Sequence, residues 1–233
     1  MKRRNALANG ALGVLGALGA ALAVPPAWSQ AWNDPVLTLF RYIDIDSGAA
    51  VAEMLRAGQD PNVRNDKGQR PLHWALMQES AKSVKALLAE PRTDVEAVND
   101  NDERPLMIAA LRGRLDWAQA LVARGAAIDP QRGERRWSAL HYAGSGPDNG
   151  VAKWLVEQGA ELDARSTNGT TPLMMALGYG SLDTAVMLLA RGANWNARND
   201  LGFSPWDFGR RAGKAEAMRR LGLREPDTVS AKP

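Results

Sequence analysis

Arg70-Pro71-Leu72-His73 is the stretch on which the reading of this chain turns, because close variants of it return at a fixed step. They are Arg104-Pro105-Leu106-Met107, Ser138-Ala139-Leu140-His141, Thr171-Pro172-Leu173-Met174 and Ser204-Pro205-Trp206-Asp207, so successive starts lie 34, 34, 33 and 33 residues apart. A second series keeps register with the first: Gly58-Gln59, Gly125-Ala126, Gly159-Ala160 and Gly192-Ala193. Proline's fixed φ suits the first turn of a helix, where its missing amide hydrogen costs no bond. Glycine adopts the left-handed conformation that ends a helix. Between the two signals fall the apolar pairs Met54-Leu55, Leu87-Leu88, Leu121-Val122, Leu155-Val156 and Leu188-Leu189. Each unit therefore reads as two short helices with one apolar face, and a lone unit has nothing to bury that face against.

A period of about 33 residues carrying Thr-Pro-Leu-His-x-Ala resembles the ankyrin repeat. The resemblance extends over nearly the whole chain after its first thirty residues. It implies an all-α repeat solenoid, each unit a helix-turn-helix plus a β-hairpin turn, with about five to six units including degenerate caps. Residues 34–62 read as the degenerate first unit, with one helix around Val36 to Tyr42 and another from Ala49 to Arg56. Full units start near Asn65, Asn99, Gly133 and Ser166, and a closing one starts at Asn199 and ends in Arg219-Arg220, polar as a terminal cap must be. The solenoid spans 32–225, and residues 226–233, which contain Pro and Ser, read as a disordered tail.

The first thirty residues are of another kind. Met1-Lys2-Arg3-Arg4 precedes an uncharged Ala/Leu/Gly-rich run from Ala6 to Val24, then Pro25-Pro26 and the small residues Ala27, Ser29 and Ala31. This is the three-part form of a secretory signal peptide, residues 1–31, cleaved after Ser29 or after Ala31. An uncleaved anchor is the competing reading, since a run of about twenty apolar residues spans a bilayer. Cleavage removes three of the 29 basic residues and no acid, leaving 26 bases against 26 acids. The basic balance of the full chain is thus no argument for nucleic acid, which demands a concentrated cationic face. The absence of cysteine excludes a lipid anchor on Cys, a thiol nucleophile, thiolate metal sites and disulfides.

Departures from the pattern gather in the middle. Gly68, Gly169 and Gly202 hold the fourth position of their units, but Asp102 and Arg136 hold it in two others. A positive φ there strains Arg136 by about 1 kcal/mol. The same unit replaces Pro by Ala139 and is interrupted by Gly144-Ser145-Gly146-Pro147, so it is expected to be the least regular. Glu90-Pro91-Arg92-Thr93 replaces a Gly-Ala turn with one added residue and accounts for a 34-residue step.

Chemistry-bearing groups are few. His73 and His141 occupy equivalent positions two repeats apart, about 20 Å at 8–10 Å per helix layer, too far to share a metal. The resemblance implies that each bonds turn backbone. Ser138 beside His141 lacks the orienting group and oxyanion site of a nucleophile-base pair. Gly144 to Gly150 follows a helix and lacks the lysine of a phosphate loop, so it reads as a turn. Trp74, Trp195 and Trp206 are expected in the core, with Trp117 and Trp154 covering the convex back.

The family binds protein partners through hairpin tips and the concave face of the first helices. By register the tips are Gln69, Glu103, Trp137, Thr170 and Phe203, and the concave positions include Met77, Leu111, Arg112, Ser145, Gly178 and Tyr179. An exposed stripe of Met77, Leu111, Trp137, Tyr179 and Phe203, with Arg112, is the expected partner-binding set, because aromatic and Met side chains dominate interface energetics. Arg132, Arg135 and Arg136 beside Trp137 form a local basic cluster suited to an acidic patch. The expectation is a non-enzymatic, monomeric protein-binding module of the periplasm. No cofactor, metal, nucleic acid or lasting membrane insertion is expected. The alternatives are a secreted effector acting on a host protein and an accessory factor for periplasmic stress-response enzymes.

Overall fold

The computed structural model describes residues 34–130 and 134–225. The signal segment, Arg132 and the 226–233 tail lie outside the described residues. Among the described residues there are twelve helices and no strand. They form six antiparallel pairs: α1 (Pro35–Asp44) with α2 (Gly48–Arg56), α3 (Pro71–Met77) with α4 (Ala81–Ala89), and α5 (Pro105–Leu111) with α6 (Leu115–Ala123). Then come α7 (Ala139–Gly144) with α8 (Gly150–Glu157), α9 (Pro172–Gly178) with α10 (Leu182–Ala190), and α11 (Pro205–Arg211) with α12 (Ala215–Arg220).

Local chemistry sets each pair. The hairpin turn is closed by its first residue: Asn65 Oδ1 accepts from the amides of Lys67 and Gln69, at 3.0 and 2.9 Å. Asn99 and Asn199 repeat that geometry, and Ser166 Oγ takes the Thr170 amide at 3.1 Å. The turn carries two backbone bonds, such as Asn65 N to Gln69 O and Gly68 N to Asn65 O, both at 3.0 Å, and does not extend into a strand pair. Its fourth residue has φ between +55 and +78° in all five units, including Asp102 at +62° and Arg136 at +55°. Pro71, Pro105, Pro172 and Pro205 then start the first helices at N1. Gly58, Gly125, Gly159 and Gly192 end second helices with φ of +91 to +101°. Where Glu90 stands instead, Thr93 Oγ1 donates to Leu87 O at 2.6 Å and carries the chain through the longer turn.

Stacking builds one continuous core. Of each apolar pair read from sequence, one member is sealed: Leu55 at 2 % exposure and Leu87, Leu121, Leu155 and Leu188 at 0 %. First helices pack closest where glycine permits. A Cβ on Gly180 would fall on the Gly144 carbonyl oxygen, and one on Gly144 would sit 2.8 Å from Pro172 O. The tryptophans divide differently from the sequence expectation. Trp117 stands on the second-helix side but is buried at 5 % exposure, roofed by the Arg114 guanidinium 3.7 Å from its ring centre. Trp74 and Trp195 are half-buried at the edge, because each indole N–H must reach an acceptor: Asp44 Oδ1 at 2.6 Å and Arg224 O at 3.0 Å. Trp206 alone of the three expected inside is fully in the core.

Candidate functional site

Both histidines serve the repeat frame. His73 Nε2 donates to Glu103 O at 3.0 Å and His141 Nε2 to Thr170 O at 2.9 Å, so each ties a first helix to the hairpin of the next unit. His141 Nδ1 accepts from the Ser138 amide at 3.1 Å and lies 2.8 Å from its Oγ. With Ser138 1 % and His141 0 % exposed, this pair presents no nucleophile to solvent. His73 has Arg70 where His141 has Ser138, its Nδ1 lacks a partner, and burial lowers its pKa. Among the described residues no group of three or more His, Asp or Glu is placed to hold a metal.

The first-helix face opens into an apolar groove of about 450 Å³ lined by Leu111, Trp137, His141, Tyr142, Ser145, Met175 and Tyr179. Its origin lies in one register position, the seventh residue counted from the helix start. That position carries Met77, Leu111, Ser145, Gly178 and Arg211 in successive units, so the two small residues in the middle leave a notch between flanking large ones. Trp137 forms one wall. Its ring meets His141 edge-on at 5.0 Å and 81°, and Tyr142 at 6.3 Å and 83°. The Tyr142 hydroxyl donates to Glu103 Oε1 at 3.0 Å, which holds the phenol against the neighbouring repeat. Burial first, then the Glu103 charge, pushes that phenol well above its ordinary pKa, so it stays a donor. Tyr179 closes the other end, 70 % exposed.

Of the six residues expected to bind a partner, the structure brings Leu111, Trp137 and Tyr179 into this one groove. Met77, 40 % exposed, lines a separate and more polar cleft of about 290 Å³ with Lys67, Gln69 and Trp74. Arg112 is held by its own scaffold, donating to Met77 O at 2.8 Å and standing 3.6 Å from Glu79 Oε1. Phe203 is half-covered because the Arg211 guanidinium stacks on it, 3.6 Å from the ring centre. The exposed stripe expected from register is thus two exposed residues, Met77 and Tyr179, and three half-buried ones. The tip residue Thr170 is buried at 3 %. Arg135 and Arg136 are exposed at a hairpin tip, where the Arg135 amide donates to Asp102 Oδ2 at 2.9 Å.

Sequence register missed Tyr142, Met175 and Arg211. Arg211 was legible, since it occupies the same seventh position as Met77 and Leu111. A second cavity, about 500 Å³, lies on the opposite side between α4 and α6, lined by Val84, Lys85, Leu88, Trp117, Ala120 and Arg124 among others.

Six stacked helix pairs with an open apolar groove on the first-helix face define a repeat-built binding scaffold. The chain belongs to the ankyrin-repeat family: the family profile described as ankyrin repeats (3 copies) matches residues 42–133 and 126–199. The chain is 29 % identical over 142 residues to "Ankyrin repeat and SAM domain-containing protein 6" of Mus musculus, covering 61 % of this chain and 16 % of that protein. It is 30 % identical over 161 residues to "Ankyrin repeat and SOCS box protein 16" of Homo sapiens, 66 % of this chain and 36 % of that one. A "Putative ankyrin repeat-containing protein" of Treponema pallidum (strain Nichols) is 34 % identical over 109 residues, 46 % of this chain and 37 % of that protein. The chain spans well under half the length of these relatives. Ankyrin repeats are protein-binding modules, generally without catalytic activity.

Proposed function

We propose that this chain is a non-enzymatic, monomeric binding module of the periplasm, holding a protein partner on its first-helix face across the groove between Leu111 and Tyr179. The observation that carries this reading is the groove itself: a contiguous apolar opening walled by Trp137, Tyr142 and Tyr179 in the middle of the solenoid. Aromatic anchors in a concave, largely apolar site are the usual centre of binding energy. The chemistry of an enzyme finds no support there, because the only titratable side chain sealed in the groove floor, His141, is spent on backbone. Periplasmic residence rests on the Lys2-Arg3-Arg4 start, the apolar run and the small-residue exit at Ala27 to Ala31.

A photo-crosslinking side chain at position 179, compared with one at Lys85 beside the back cavity, tests the face in cells. Position 179 should yield a discrete crosslinked partner in the periplasmic fraction, with the N-terminus at Gln30 or Trp32 by intact mass. Crosslinks from position 85 alone would move recognition to the second-helix side. Recovery of the full-length chain in membranes would overturn the periplasmic reading.

A further inference from the structure

The groove has a direction. Along the seventh-position row the side chains pass from Met77 and Leu111 through Ser145 and Gly178 to Arg211, so apolar contact is offered at one end and positive charge at the other. Tyr179 joins the two ends. It closes the large apolar groove, and it also lines the adjoining small cleft of about 160 Å³ with Gly178, Phe208 and Arg211.

Of the arginines at the ends of the first helices, Arg112, Arg210 and Arg211, the last has no competing acid. Arg112 is occupied by Met77 O and Glu79, and Arg210 stands 3.5 Å from Asp207. Among the described residues Arg211 makes neither a hydrogen bond nor an ion pair, and its guanidinium carbon lies over the Phe203 ring, 3.6 Å from its centre. Stacking fixes the plane of the cation while leaving its in-plane N–H donors outward, the geometry that accepts a carboxylate two-pronged. A long exposed side chain normally loses rotamer freedom on binding, and a ring already holding it reduces that loss.

We propose that the groove takes an extended acidic segment of a protein partner, an apolar side chain entering between Leu111 and Tyr179 and a carboxylate seating on Arg211. This rests on the reading of the groove as the binding face. Arg211 lies one to two repeats beyond the groove's centre. At 8–10 Å per helix layer and about 3.3 Å per extended residue, the apolar anchor and the acid are about three to six residues apart.

Fluorescence polarisation on the purified protein tests it, with labelled peptide pools as probes. Each pool has a fixed Leu, a fixed Asp four residues on, and Ser, Gly or Ala elsewhere; matched pools carry Asn or Lys in place of the Asp. The Asp pool should bind about three- to tenfold more tightly than the Asn pool, the range of one well-placed charge-assisted pair. Arg211→Gln should abolish that preference, bringing the Asp pool down to the affinity of the Asn pool, and Arg211→Lys should restore only part of it. Tyr179→Ala should weaken every pool. Equal binding of the Asp and Asn pools with Tyr179→Ala still harmful would overturn the acidic preference and leave the groove standing. A preference for the Lys pool would reverse the assigned charge. Binding indifferent to Tyr179→Ala, or no binding by any pool, would overturn the groove reading and this inference with it.

Discussion

Replacing Arg136 by Gly should stabilise the protein, although it removes a large side chain from a folded turn. Arg136 sits at φ +55°, a region where a Cβ crowds the following carbonyl at a cost of about 1–2 kcal/mol. Its side chain is exposed and makes no hydrogen bond or ion pair among the described residues, so little is lost with it. Glycine gives back part of the gain by loosening the unfolded chain, about 0.4–1 kcal/mol. The net is a stabilisation of about 0.5–1 kcal/mol, worth about 1–4 °C in Tm for a chain of this size. Asp102 is the built-in control. Its φ is +62°, but its Oδ2 accepts the Arg135 amide at 2.9 Å, so Asp102→Gly forfeits about 1 kcal/mol of hydrogen bonding along with the strain. Urea denaturation followed by far-UV circular dichroism, at unchanged slope, should therefore show the midpoint rise for Arg136→Gly and fall or stay level for Asp102→Gly. A fall in midpoint for Arg136→Gly, or an equal rise for both, would refute the claim that backbone strain at the fourth turn position is what distinguishes them.

Gly180→Ala places a methyl on the Gly144 carbonyl oxygen, forcing α7 and α9 apart, and should lower stability by about 1–3 kcal/mol in the same urea assay. Burial lowers the His73 pKa, so below about pH 6.5 the unfolded chain takes up a proton that the folded chain refuses. Stability present at neutral pH should accordingly decline as pH falls through that window, with a slope of up to about 1.4 kcal/mol per pH unit that shrinks in His73→Gln. Tyr179→Ala, at a 70 % exposed position, should change stability by less than about 0.5 kcal/mol yet weaken a partner complex by more than about 1 kcal/mol by calorimetry. Trp137→Ala should weaken the complex and also cost stability, losing about 0.5–1.5 kcal/mol of ring contact with His141 and Tyr142, which is visible in thermal melts.

The groove shows how a site escapes register arithmetic. Leu111, Trp137 and Tyr179 were found from sequence because position within a unit decides whether a side chain points toward the first-helix face. Tyr142 and Met175 were not, since they join the lining only when Ser145 and Gly178 leave room beside them. Arg112 and Phe203 carried the right residue types at the right positions, and what changes their role is a neighbour: the Met77 carbonyl for one, Arg211 for the other. Trp117 likewise lies on a second helix whose outward turn suggested the back, but Arg114 folds over the ring and closes it into the core.

The amino-acid sequence alone determined the repeat, its 33- to 34-residue step, the helix starts at proline, the helix ends at glycine and the apolar pair that each second helix turns to its neighbour. These follow from interactions spanning a few residues: a locked φ, a permitted positive φ, and a helical period that returns apolar side chains to one face. It also disclosed the strain at Arg136, since the fourth residue of the turn must adopt a left-handed φ whatever its type. Tertiary structure decided which of the face-directed side chains meet. The Tyr142–Glu103 bond spans 39 residues, the Arg112–Met77 bond 35, and the Gly144–Gly180 contact crosses a whole repeat. Contacts of that range depend on how one unit rotates onto the next, and no spacing within a single repeat encodes that rotation.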